Sequence, residues 1–120
     1  MTRVAMISDS NLEISVDQVG KDFVVLLSGR INVDSSPDLR DCLRAILSAE
    51  RLPRTVTVDL DGVSNIETSG IATLIEALRI ARHHEVGFCL QGVAGSVLRL
   101  FEVAGVLRLF DPDGSEEEVS

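Results

Sequence analysis

Leu12, Ile14 and Val16 alternate with Glu13, Ser15 and Asp17, the period of a strand with one wet face. Residues 19–22 read as a turn. The apolar run at 23–27, closed by Ser28 and Gly29, predicts a strand covered on both faces that pairs with the first as a hairpin. Residues 32–37 are polar, and Ser36, Pro37 and Asp38 supply a cap residue, a proline at the first helical position and an acid in the first turn, which together mark a helix start. Leu39, Leu43, Ile46 and Leu47 follow at helical spacing. A β-branched run at 55–60 then stops at Asp61 and Gly62, and helical period resumes at Ile71, Leu74, Ile75 and Leu78. After residues 82–85 that pattern fades. Residues 88–90 predict a short buried strand, Ser96 to Gly105 a third helix stopped by glycine, and residues 107–110 a last strand at the sheet's edge. Residues 1–10 carry little pattern and read as a frayed lead-in.

Two strands followed by helix–strand alternation predict an α/β domain: a mixed sheet of about four to five strands, with three to four helices mainly on one face. One domain over residues 11–110 accounts for the whole pattern, since 120 residues suffice for a single layered core. A −8 net charge, 11 basic residues and no Trp or Tyr argue against nucleic acid, whose phosphates call for a clustered basic face and whose bases call for stacking partners. Five of those negative charges fall in residues 111–120, which read as an acidic, solvated tail. Cys42 and Cys89 lie among apolar neighbours and outside any paired-cysteine motif, as expected of reduced, buried thiols in a cytoplasmic protein. No apolar run approaches the ~18 residues of a membrane span, so neither export nor membrane insertion is expected.

The switch from strand to helix carries the candidate chemistry. Glu67, Thr68, Ser69 and Gly70 lie where a helix begins and its first backbone N–H groups have no partners. A hydroxyl there can cap the helix; it can equally be where a phosphate is placed or held. Asp59 and Asp61 form a fragment of a calcium loop, but the remaining oxygen ligands are missing at the required offsets. The two are expected to end the strand and shape the turn, with no metal or cofactor bound. His83 and His84 are adjacent in sequence and point to different helix faces. With no nucleophile-elbow, P-loop, dinucleotide or zinc-protease motif, the chain reads as non-enzymatic.

The stretch DLDGVSNIETSGI at 59–71 resembles the signature of the STAS family, which includes the bacterial anti-sigma-factor antagonists, and the resemblance extends over about residues 11–110. It implies a mixed sheet under a helical layer. It also implies that Thr68 is the residue phosphorylated by a partner that is both anti-sigma factor and serine kinase, Ser69 being the runner-up, and that phosphorylation releases that partner and reverses the freeing of a sigma factor. A phosphatase would restore the binding form. Glu67 stands where the family usually has Asp. The partner-binding surface is expected to comprise Glu67, Thr68, Ser69 and Gly70 with the loop residues Asn32, Asp34, Ser35 and Ser36, on a domain that is monomeric when free; Ser69 is expected to support the helix cap. The same family also implies an alternative, a subunit bound constitutively in a lipid-transport ATPase complex or signalling scaffold. A small-molecule or nucleotide sensor is a third reading.

Overall fold

A computed structural model describes residues 1–9 and 11–110. Five strands, β1 (Thr2–Ser8), β2 (Leu12–Val19), β3 (Asp22–Ile31), β4 (Thr55–Ile66) and β5 (Gly87–Gln91), lie side by side in chain order. The first three pair antiparallel and the last three parallel. The helices α1 (Ser36–Leu47) and α2 (Thr68–His83) fill the connections that parallel pairing demands, and α3 (Gly95–Ala104) follows β5. The expected α/β class, a five-stranded mixed sheet with three helices among the described residues, is therefore present.

Register explains where the core sits. Val16 is opposite Val25, Val25 opposite Val58, and Val58 opposite Leu90, so one sheet face is a continuous apolar row. Leu39, Leu43 and Leu47 of α1 and Leu74, Leu78 and Ala81 of α2 are buried in the same core, at the stripe spacing of amphipathic helices. The opposite face carries Glu13, Ser15, Leu26, Thr57 and Asp59, all exposed or half-buried.

Three expectations are corrected. Residues 2–8 are not a frayed lead-in but the edge strand β1. Its side chains are nearly all exposed, so no apolar period announces it; it forms because the outer edge of β2 offers unpaired backbone groups. Ile7 lies opposite Ile14, and Arg3 forms an ion pair with the buried Asp17.

Asp61 and Gly62 do not end the central strand, because β4 continues to Ile66 through a register shift opposite Leu26 and Ser28. A Cβ on Gly62 would come within 2.8 Å of the Leu27 carbonyl oxygen, so the glycine permits a close backbone approach inside the strand. Asp59 Oδ1 accepts the Asp61 N–H at 2.9 Å, a local bond that shapes the bulge rather than a turn.

Residues 107–110 form one turn of 3-10 helix instead of a strand. Gly105, at φ 71°, closes α3 and turns the chain back, and Phe110 packs against Phe88 and Phe101 at ring separations of 6.4 and 5.9 Å. Its apolar contact is thus with the core, and β5 is left as the edge. The acidic tail expected over 111–120 lies outside the described residues.

Candidate functional site

Parallel pairing of β3 with β4 brings their C-terminal ends, and the helices that follow, to one end of the sheet. Glu67 N–H donates to the Ile31 carbonyl at 2.9 Å, fastening the two exits together. The Glu67 carbonyl then accepts from Gly70 N–H at 2.9 Å and Ile71 N–H at 3.2 Å, so α2 starts at once and Thr68 stands at its first residue. Thr68 and Glu67 are exposed, Ser69 is half-buried and Gly70 is buried. A Cβ on Gly70 would come within 2.5 Å of Ile31 Cγ2 and 2.8 Å of Ile66 Cγ1. The motif glycine therefore seats the helix start against the ends of both strands.

Ser69 does not cap the helix. The N-cap position is Glu67, with no side-chain cap bond, and Ser69 Oγ is shielded from solvent with no hydrogen-bond partner. Ser69→Ala is accordingly expected to leave stability within about 0.5 kcal/mol or raise it slightly, because a shielded donor without an acceptor is removed. Thermal unfolding of the variant beside the parent checks this, and a loss above about 1 kcal/mol would mean that the hydroxyl caps after all.

The loop at 32–36 reaches the same end but divides in two. Asn32 Oδ1 accepts from Asp34 N–H and Ser35 N–H, both at 3.0 Å. Ser35 Oγ donates to the Arg30 carbonyl at 2.8 Å and accepts from Asn32 N–H at 3.0 Å. Ser35 and Ser36 are 0% and 7% exposed, so they hold the loop from within and present little surface. Ser35 occupies the helix N-cap and Pro37 falls one position later than the sequence suggests. The exposed tip is Asp34 with Val33, an apolar side chain 68% exposed; composition alone had marked this loop only as polar. Ser35→Ala should cost about 1–3 kcal/mol, since it leaves a buried carbonyl and N–H without their partner; chemical denaturation measures it, and a neutral result would contradict the structural role.

At this end the β1–β2 turn meets the first turn of α1. The Asp38 carboxyl is pushed above the usual carboxylate range, first by the hydrogen bond it shares with Asp9, then by desolvation and by repulsion from Asp9 and Asp41. Asp9 is pulled below that range by the same hydrogen bond and by the N–H groups of Leu12 and Asn11. Asp38 thus keeps its proton to higher pH than an isolated aspartate. Cys42 is buried and its thiol is pushed up by desolvation, while Cys89 is half-buried; both are free.

Among the described residues no group of three His, Cys, Asp or Glu side chains is placed to hold a metal, and no helix is long and apolar enough to cross a membrane. One residue without a motif lines the neighbouring seam between α1 and α2. Arg40, four residues after Ser36, is on the α1 stripe that meets α2 beside Thr73, and that i, i+4 spacing is the signal that would have found it.

Known proteins share this fold. The family model described as "Mlab, STAS domain" matches residues 14–111. The anti-sigma-B factor antagonist of Staphylococcus aureus is 26% identical over 109 residues, covering 90% of this chain and 99% of that protein. An anti-sigma factor antagonist from Mycobacterium paratuberculosis superposes with a TM-score of 0.72 at 18% identity, covering 94% of this chain and 96% of the other. The Bacillus cell fate determinant SpoIIAA in its phosphorylated form superposes at 0.65 with 14% identity, covering 88% and 96%. With the family model spanning most of the described sheet and helices, the chain belongs to the STAS domain family.

Proposed function

We propose that this chain is a protein-binding switch of the anti-sigma-factor antagonist kind, acting in the cytoplasm rather than as an enzyme. With Thr68 unmodified, its site end binds an anti-sigma factor that is also a serine/threonine kinase, and a sigma factor is freed. The kinase transfers the γ-phosphoryl group of ATP to Thr68 Oγ1; the hydroxyl proton passes to a base on the kinase and ADP leaves. The complex then comes apart. The observation that carries this reading is Thr68 itself, an exposed hydroxyl at the first residue of α2, on the same end as the exposed Val33 and Asp34. The names of the relatives and the existence of a phosphorylated structural neighbour support it.

The release is electrostatic. A phosphate adds about −1.5 to −2 charge at neutral pH beside Glu67, at the end of the domain that also carries the exposed Asp34, so a surface packed on a neutral hydroxyl meets repulsion and a desolvation cost. Ser69 is the poorer acceptor because its hydroxyl is shielded from solvent. The test is phosphosite mapping after incubation with the cognate kinase and ATP. Modification at Thr68 is expected; modification confined to Ser69, or none, would reject the assignment.

A further inference from the structure

We propose that Arg40 is the intramolecular counter-cation of a phosphate on Thr68, with the Ser69 hydroxyl as a second donor. The inference rests on the reading of Thr68 as the modified residue and adds where its charge goes. Among the described residues, two side-chain polar atoms are shielded from solvent and lack a hydrogen-bond partner: Arg40 Nε and Ser69 Oγ. They belong to different helices but to one seam.

Arg40, Leu43 and Arg44 of α1 face Thr73, Glu76, Ala77 and Ile80 of α2 across that seam. Ser69 is one turn ahead of Thr73 on the same stripe, and Thr73 Oγ1 donates to the Ser69 carbonyl at 2.9 Å. The two helices run parallel: Arg44 pairs with Glu76, and Arg40, one turn earlier, sits against Thr73. Helical side chains lean toward the N-terminus, and an Arg40 rotamer that follows this lean spans about one turn, ~5.4 Å, in the direction of Ser69 and Thr68. Its ion contact is Asp41, whose carboxylate is 3.8 Å from Nε, too far for a hydrogen bond.

Two donors without acceptors, on adjacent helices whose seam begins beside Thr68, fit an oxyanion with several acceptor oxygens. A phosphate supplies three, and a guanidinium fork binds two of them side by side. The other cation at this end is Arg30. It is opposite Asn65, whereas Ile31 and Ile66 face the helices, so alternation puts Arg30 on the far side of the sheet. Modification therefore changes this end of the domain twice: it adds negative charge at Thr68 and turns the Arg40 guanidinium toward it.

The experiment places phosphoserine at position 68 during translation, so no kinase is needed, and follows the second ionisation of the phosphate by ³¹P NMR. A nearby cation favours the doubly ionised form and lowers this pKa. Arg40→Gln is expected to raise it by about half a pH unit or more, Arg40→Lys to raise it less because the charge is kept without the fork, and Arg30→Gln to leave it unmoved. An unchanged titration in Arg40→Gln, or a larger shift in Arg30→Gln, would overturn the proposal. Failure of the cognate kinase to modify Thr68 is a separate result. It would reject the functional reading while leaving the titration interpretable.

Discussion

Thr68→Glu is expected to weaken binding of the partner anti-sigma factor by roughly 5- to 150-fold, the usual range of a coupling between a modification and a binding site, with the melting temperature unchanged. Thr68 is exposed and its side chain enters no hydrogen bond that the fold depends on among the described residues. A carboxylate at a helix N-terminus is mildly favourable to the helix, by about 0.3–1 kcal/mol, so the fold has no reason to yield. The whole effect falls on the interface, where new charge meets Glu67, Asp34 and the partner's packed surface. Thr68→Ala provides the opposite control: a folded protein that binds the partner and accepts no phosphate at this position. Isothermal titration of parent, Ala and Glu forms against one partner preparation decides the matter. Equal affinities for all three would reject the switch and describe a subunit bound constitutively.

What the sequence disclosed and what it hid follow a physical division. The β2–β3 hairpin, α1, the start of β4 and α2 bury alternating or helical stripes, and burial is what hydrophobic period records. The strand β1 buries almost nothing; it exists by backbone pairing to β2, which leaves no trace in side-chain pattern. Gly62 misled for a related reason. Asp-Gly is a strong turn signal, yet β3 continues alongside and β4 keeps pairing with it, carrying its extra residue as a bulge.

At the site, residue types were legible and their partners were not. The exposed hydroxyl and acid at Thr68 and Glu67 could be picked from the motif. That Ser35 bonds to the Arg30 carbonyl, or that the Ser69 hydroxyl has no partner, depends on how the chain packs where the β3 and β4 exits are fastened together. The first is a local bond whose geometry no periodicity records, and the Glu67–Ile31 bond arises only when two segments far apart in the chain meet. The same holds for Arg40, which ordinary helical spacing places on a stripe but only the packing of α1 on α2 turns into a seam residue.

Gly29→Ala should be the most damaging small substitution at this end of the sheet, with a cost of about 3 kcal/mol or more. Sequence pattern treats Gly29 as the stop of a strand, whereas β3 passes through it to Ile31. The residue has φ +114°, a left-handed region that favours glycine and that costs other residues roughly 1–3 kcal/mol. A Cβ there would also fall on the backbone carbonyl oxygen of Asn11, and that same oxygen accepts the Arg30 N–H at 2.7 Å. Backbone cannot swing aside as a flexible side chain can, so relief of the clash must open the β2–β3 pairing, adding about 1–3 kcal/mol. The expected fall in melting temperature is on the order of 10 °C or more. Function should suffer with stability, because the Gly29 carbonyl also accepts the Ser64 hydroxyl at 3.2 Å and the next residues carry Ser35 and Glu67. Calorimetry of the variant gives the first number. Amide exchange across β2, β3 and the loop at 32–36 gives the second observation, with faster exchange expected there than in α3. A variant as stable as the parent would show that the chain accommodates a side chain at Gly29, and would remove the strained exit as the element that positions the site.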